Sequence, residues 1–150
     1  MIQEPEPPKE LIFSVKASFI DTVDMSDPTC LSVYQLNQNH KEVLIAESGS
    51  FQNQQSPYFF KKMGLDYDFK KHQKLFFRVF KLSVTNGAMD FMNYATCQTE
   101  VCKILSSINT NGKVILDLIG SEKQGKLGNL QIKLTERVLN EGCFQFNFSS

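Results

Sequence analysis

Asp21 and Asp27 stand six residues apart in FIDTVDMSDPTCLSVYQL, residues 19–36, and the second is followed at once by Pro28. Paired carboxylates on a loop between strands are what a hard cation such as calcium uses, because it takes several oxygen ligands in adaptable geometry. Pro28 has no backbone N–H and biases Asp27 toward an extended conformation, which fixes where that carboxylate points. Asp24 lies between the two and is a further candidate oxygen ligand, although an aspartate in a loop more often shapes a turn. A second group is basic. Lys61, Lys62, Lys70, Lys71 and Lys74 fall within fourteen positions, and residues 61–81 carry seven Lys/Arg against two Asp. Such a segment can meet anionic lipid headgroups at about 1 kcal/mol per cation near the surface, or simply form a solvated face.

No other constellation carries chemistry. The two histidines, His40 and His72, lie in no nucleophile motif, and no serine sits in G-x-S-x-G. GSEKQGKLG, residues 120–128, lacks the order of a phosphate-cradling loop and reads as a hairpin turn. Four cysteines, Cys30, Cys97, Cys102 and Cys143, form no C-x-x-C pair and there are only two histidines, so a zinc site is not expected. The reading is therefore of a non-enzyme.

The elements that must position these residues are strands. Leu11, Phe13, Val15 and Ala17 alternate, as do residues 29–36, 42–48 more weakly, 59–67, Leu75/Phe77/Val79, Val114/Leu116/Leu118 and Leu130/Ile132/Leu134. Phe51 and Met89 fall in expected loops. Val101, Ile104, Leu105 and Ile108 recur at helical spacing, which predicts one short helix between late strands. Short strands punctuated by turns argue for an all-β, eight-stranded antiparallel sandwich.

Sixteen basic and sixteen acidic residues leave no global field for nucleic acid, and no apolar run is long enough to span a membrane. The charge is regional: residues 1–60 carry three Lys against eight Asp/Glu. MIQEPEPPKE reads as a flexible lead-in over residues 1–9 rather than a leader. Free thiols fit a cytoplasmic protein with peripheral membrane association.

The Ser26-Asp27-Pro28 motif and the strand order resemble a C2 domain over about residues 10–136, in the circularly permuted arrangement called type II. Glu42-Val43, Glu47, Ser56-Pro57, FFKKMGLDYDFKKHQKLFFRVF (residues 59–80) and Asp90-Phe91-Met92 are similar to the first C2 domain of the copines. Residues 137–150 then read as a linker plus the first strand of a following C2 domain, with Phe144, Phe146 and Phe148 alternating. The resemblance implies a calcium site drawn from two loops: Asp21 and Asp27 from the first, and from the second Asp90 together with two aspartates that this chain replaces by Lys81 and Ser83. It implies that calcium, if bound, is held weakly, and that Lys81 ion-pairs with Asp21 or Asp27. The partner it implies is an anionic phospholipid membrane surface, met by the five lysines with Met89 dipping into the interface. The competing reading is a calcium-independent protein-interaction or scaffold domain.

Overall fold

The computed structural model describes residues 10–68, 70–107, 113–121 and 125–138. They form eight strands: β1 (Glu10–Phe19), β2 (Thr29–Leu36), β3 (Glu42–Glu47), β4 (Tyr58–Asp66), β5 (Lys74–Thr85), β6 (Ala88–Glu100), β7 (Lys113–Gly120) and β8 (Lys126–Val138), with α1 (Val101–Ser107) between β6 and β7. All pairings are antiparallel, in the order β3-β2-β5-β6-β7-β8-β1-β4. Only two rungs, Ala95↔Gly120 and Thr96↔Ile119, join β6 to β7. That seam folds the sheet into two four-stranded halves.

The alternation seen in the sequence becomes the core. Leu11, Phe13, Val15 and Ala17 of β1 are fully buried beside Leu130 and Ile132 of β8, as are Leu31 and Val33 of β2 and Leu75, Phe77 and Val79 of β5 in the other half. Successive strand residues point to opposite faces, so one face of each strand supplies an apolar layer. Val101 and Ile104 fix α1 to the core, with Leu105 half-buried beside them; Ile108 lies outside the described residues. Residues 1–9 and the tail at 143–150 also lie outside them. β8 pairs with β1 as far as Val138, two residues beyond the expected end of the domain.

Three local features differ from the sequence reading. The segment expected to be a loop around Met89 is strand: β5 and β6 form one long hairpin closed by Asn86 and Gly87, at φ 52° and 80°. Two central residues at positive φ make the turn whose twist matches paired strands, and Asn-Gly is its favoured sequence. Within GSEKQGKLG the Gly125 carbonyl accepts from Gly120 N–H at 2.9 Å, and β8 has begun by Lys126. Gly128 is a strand residue, paired with Phe19 and Leu118. Phe51 is half-buried; it bridges Thr29 and meets Phe59 edge-on at 5.6 Å.

On edge strand β4, Lys61 and Lys62 face a single residue of β1 at one of the two register shifts of this ladder: Val15 pairs with Phe60 and Phe13 with Met63. This bulge shifts the alternation, which exposes both lysines and returns Met63 to the core. Lys62 pairs with Glu136 at 3.3 Å. On the outer face of the other half, Arg78 holds Glu42 at 2.5 Å and lies 4.8 Å from the Tyr34 ring centroid. That hydrogen bond lowers the Glu42 carboxyl below its usual value and raises the guanidinium.

Candidate functional site

The loop after β1 is built by two plugs. Val23 and Met25 are buried in the end of the sandwich, so the intervening Asp24 is turned out to solvent. The glutamines of the polar connector hold the loop from behind. Gln55 Nε2 donates to the Ile20 carbonyl at 2.6 Å, and Gln52 Nε2 to the Ser26 carbonyl at 2.9 Å. Leu82 N–H donates to the Pro28 carbonyl at 2.8 Å, tying the loop exit to β5. The sequence marked this connector only as polar; its glutamines position the loop.

Asp21, Asp24 and Asp27 are all exposed on this loop. Asp24 accepts from Ser26 N–H at 2.9 Å, which lowers its pKa, with a smaller contribution from Lys81. Lys81 does not ion-pair with Asp21 or Asp27 among the described residues. Its Nζ donates to the Asp24 carbonyl at 2.6 Å and lies 4.8 Å from the Tyr94 ring centroid. Tyr94 is the extra residue of a bulge in β6, between the rungs Val79↔Ala95 and Phe80↔Asn93. Burial raises its phenol pKa, and Asp24 adds to this. Lys81, Ser83, Asp27 and Tyr94 line a groove of about 620 Å³.

Asp90 sits on β6, opposite Ser83 on β5. It is thus a rung of the hairpin, not the closing ligand of a loop. Asp21, Asp27 and Asp90 do not gather into a three-ligand group: among the described residues the group of that kind is His72, Glu100 and Cys102, at the other end of the sandwich. Asp27 and Lys81 both line the groove, so a carboxylate and an ammonium share it. Changing Lys81→Asp together with Ser83→Asp would place three carboxylates around that groove. We expect this variant to acquire calcium binding measurable by calorimetry at micromolar concentrations where the native chain gives no heat. Equal heats for both would disprove this account of the site.

The hairpin beyond the body has two unlike faces. The rungs Leu82↔Phe91 and Val84↔Met89 put four apolar side chains on the outer face, while Lys81, Ser83, Asp90 and Met92 share the face turned toward the aspartate loop. Val84 is 64% and Met89 72% exposed, and Phe91 and Met92 are also exposed. The lysines are elsewhere. Lys74 begins β5 and Lys70 and Lys71 precede it, so they lie at the far end of the strand from Val84. Ten residues at about 3.3 Å each separate Lys74 from Val84 by about 33 Å. Lys71 pairs with Asp68 at 3.9 Å, and Lys74 lies over Phe76 at 5.4 Å. The five lysines and Met89 therefore do not form one surface, because closeness in sequence along a strand is distance in space.

Cys30 and Cys97 do not line this groove and are not activated as nucleophiles. Burial pushes Cys97 up to about 12, and burial followed by Glu47 raises Cys30.

Two half-sheets, an aspartate loop joining β1 to β2 and a last strand alongside β1 define the topology. The first-lettered (A) of the C2 domains of plant extended synaptotagmin 1 superposes with a TM-score of 0.61 over 91% of this chain and 99% of that one, at 11% identity. The chain has the fold of a C2 domain. This C2 fold is shared with the structure of CC2D1B, which coordinates ESCRT-III activity during mitotic reformation of the nuclear envelope (TM-score 0.57, 15% identity, 91% of this chain and 59% of that one). It is shared too with a C2 domain-containing protein from a putative elicitor-responsive gene (0.52, 10%, 97% and 99%). No family model and no curated protein sequence matches the chain. No helix among the described residues is long and apolar enough to cross a membrane.

Proposed function

We propose that this C2-fold chain is a peripheral phospholipid-binding module of the copine-like kind, with a degenerate calcium site, that docks on bilayers through the β5–β6 hairpin without calcium. It is a binding module and not an enzyme. The observation that carries the reading is the exposed apolar face at the hairpin tip, Val84, Met89 and Phe91. A rigid, hydrogen-bonded hairpin can enter the interface without leaving backbone groups unpaired, which a flexible loop cannot do. The copine-like part rests on the sequence resemblance alone.

The electrostatics refine the lipid. Among the described residues, four carboxylates, Asp21, Asp24, Asp27 and Asp90, stand at this end with the ammonium of Lys81, while Lys126, beside the loop, is paired with Asp117 at 3.2 Å. With no metal to bridge them to phosphate, an anionic surface repels this end. Docking is then driven by apolar burial and favours zwitterionic membranes. Vesicle pelleting tests this with phosphatidylcholine and with phosphatidylserine-rich liposomes, each in chelator or calcium, at low and high salt. The expected result is binding to phosphatidylcholine that is unchanged by chelator and by salt. Binding confined to phosphatidylserine and lost in salt would return the docking surface to the lysine end. No binding to any vesicle would favour the calcium-independent protein-interaction reading.

A further inference from the structure

His72, Glu100 and Cys102 present their ligand atoms within 4.8 Å of one another at the end of the sandwich opposite the hairpin. We propose that these three side chains form a binding site for a borderline divalent transition metal, with zinc the best fit. The set offers one imidazole nitrogen, one carboxylate oxygen and one thiolate sulfur, the ligand types zinc combines. Glu100 Oε1 lies 3.4 Å from His72 Nδ1 and 3.9 Å from Cys102 Sγ. Tetrahedral zinc, with bonds of about 2.0–2.3 Å, sets its ligand atoms roughly 3.3–3.7 Å apart. Those two separations are within a few tenths of an ångström of coordination spacing, and the third, His72 to Cys102, is no more than 4.8 Å.

The backbone holds the ligands there. Gln73, next to His72, is buried; its Nε2 donates to the Asp66 carbonyl at 2.7 Å and its Oε1 accepts from Asp68 N–H at 3.0 Å. The Gln73 carbonyl accepts from Val101 N–H at 2.9 Å, and Val101 is the buried residue between Glu100 and Cys102. One hydrogen bond between two buried residues thus fixes His72 against the other two ligands. Lys103 lies 4.0 Å from the other carboxylate oxygen, Glu100 Oε2, which leaves Oε1 turned to His72 and Cys102. Lys103 is a positioning residue, of the kind that orients ligating carboxylates. On binding, the Cys102 thiol releases its proton to solvent and the thiolate takes the metal. Three protein ligands leave a fourth position for water. His72 and Glu100 also line a groove of about 720 Å³ together with His40, Lys71 and Lys74.

Cobalt and zinc titration of the reduced protein tests the site. Cobalt should give a thiolate-to-metal charge-transfer band and the intense visible absorption of four-coordinate metal at one equivalent, and zinc should displace it. Cys102→Ser should abolish the charge-transfer band. His72→Ala and Glu100→Gln should each weaken zinc at least about tenfold by calorimetry. His72 is exposed, so its variant keeps the fold and decides the matter if another variant does not fold. A cobalt spectrum with no thiolate band, or zinc affinity unchanged by Cys102→Ser and His72→Ala, overturns the proposal.

Discussion

Replacing Met89 and Phe91 together by glutamate is expected to weaken binding to phosphatidylcholine vesicles about ten- to hundredfold. Complete burial of a methionine or phenylalanine side chain is worth roughly 1.5–3 kcal/mol. Interfacial insertion buries about half of each, so the pair contributes about 1.5–3 kcal/mol, and about 1.4 kcal/mol is tenfold in affinity. Both side chains are exposed on the hairpin, so the melting temperature should be nearly unchanged. Lys70→Glu with Lys71→Glu is the informative companion, since those residues precede Lys74, which lies about 33 Å from Val84 along β5. It should leave binding within about twofold, the range of exposed surface changes. Wild-type pelleting by the hairpin variant, or a large loss in the lysine variant, would exclude the hairpin as the docking surface.

Gly128→Ala is expected to destabilise the fold by about 3 kcal/mol, at the upper end of overpacking costs. A Cβ at Gly128 would collide with the Ser18 carbonyl oxygen and lie 2.8 Å from Phe19 Cα. Both are backbone atoms of the paired strand, so no rotamer change relieves the contact. The strand must move, and the rung Phe19↔Gly128 and the Ile20 N–H bond to the Leu127 carbonyl, 2.9 Å, are the first to go. For a chain of this size the melting temperature should fall by about 10 °C. A variant melting within about 2 °C of wild type would refute the packing argument. The same rungs deliver the chain into the aspartate loop, so the variant should also loosen Asp21 and Asp24, visible as faster amide exchange there.

Strands β1, β2, β4, β7 and β8 and the core half of β5 are legible in the sequence because each buries one face and so alternates. β6 is not, because its residues 88–93 project past the core and have nothing to alternate against. The signal for it was local: Asn86-Gly87 between Val84 and Met89 is a hairpin signature. The position of the aspartate loop was legible from Asp27-Pro28. What Lys81 touches was not, since a flexible cation can reach either a carboxylate or a carbonyl, and only the fold places the Asp24 carbonyl within 2.6 Å. His72, Glu100 and Cys102 escape a motif search altogether. They are joined by strand register, Lys74↔Glu100, rather than by spacing along the chain.

The length of the β5–β6 ladder also sets an electrical distance. At physiological salt the Debye length is about 8 Å, so about 33 Å is roughly four screening lengths. A membrane potential felt fully at Val84 is attenuated to about 2% at Lys74. The pole that carries Lys70, Lys71, Lys74 and the His72–Glu100–Cys102 cluster is therefore insulated from the bilayer when the hairpin is docked. Charge there can change, by acetylation of a lysine or arrival of a dication, with no effect on how the other pole meets lipid.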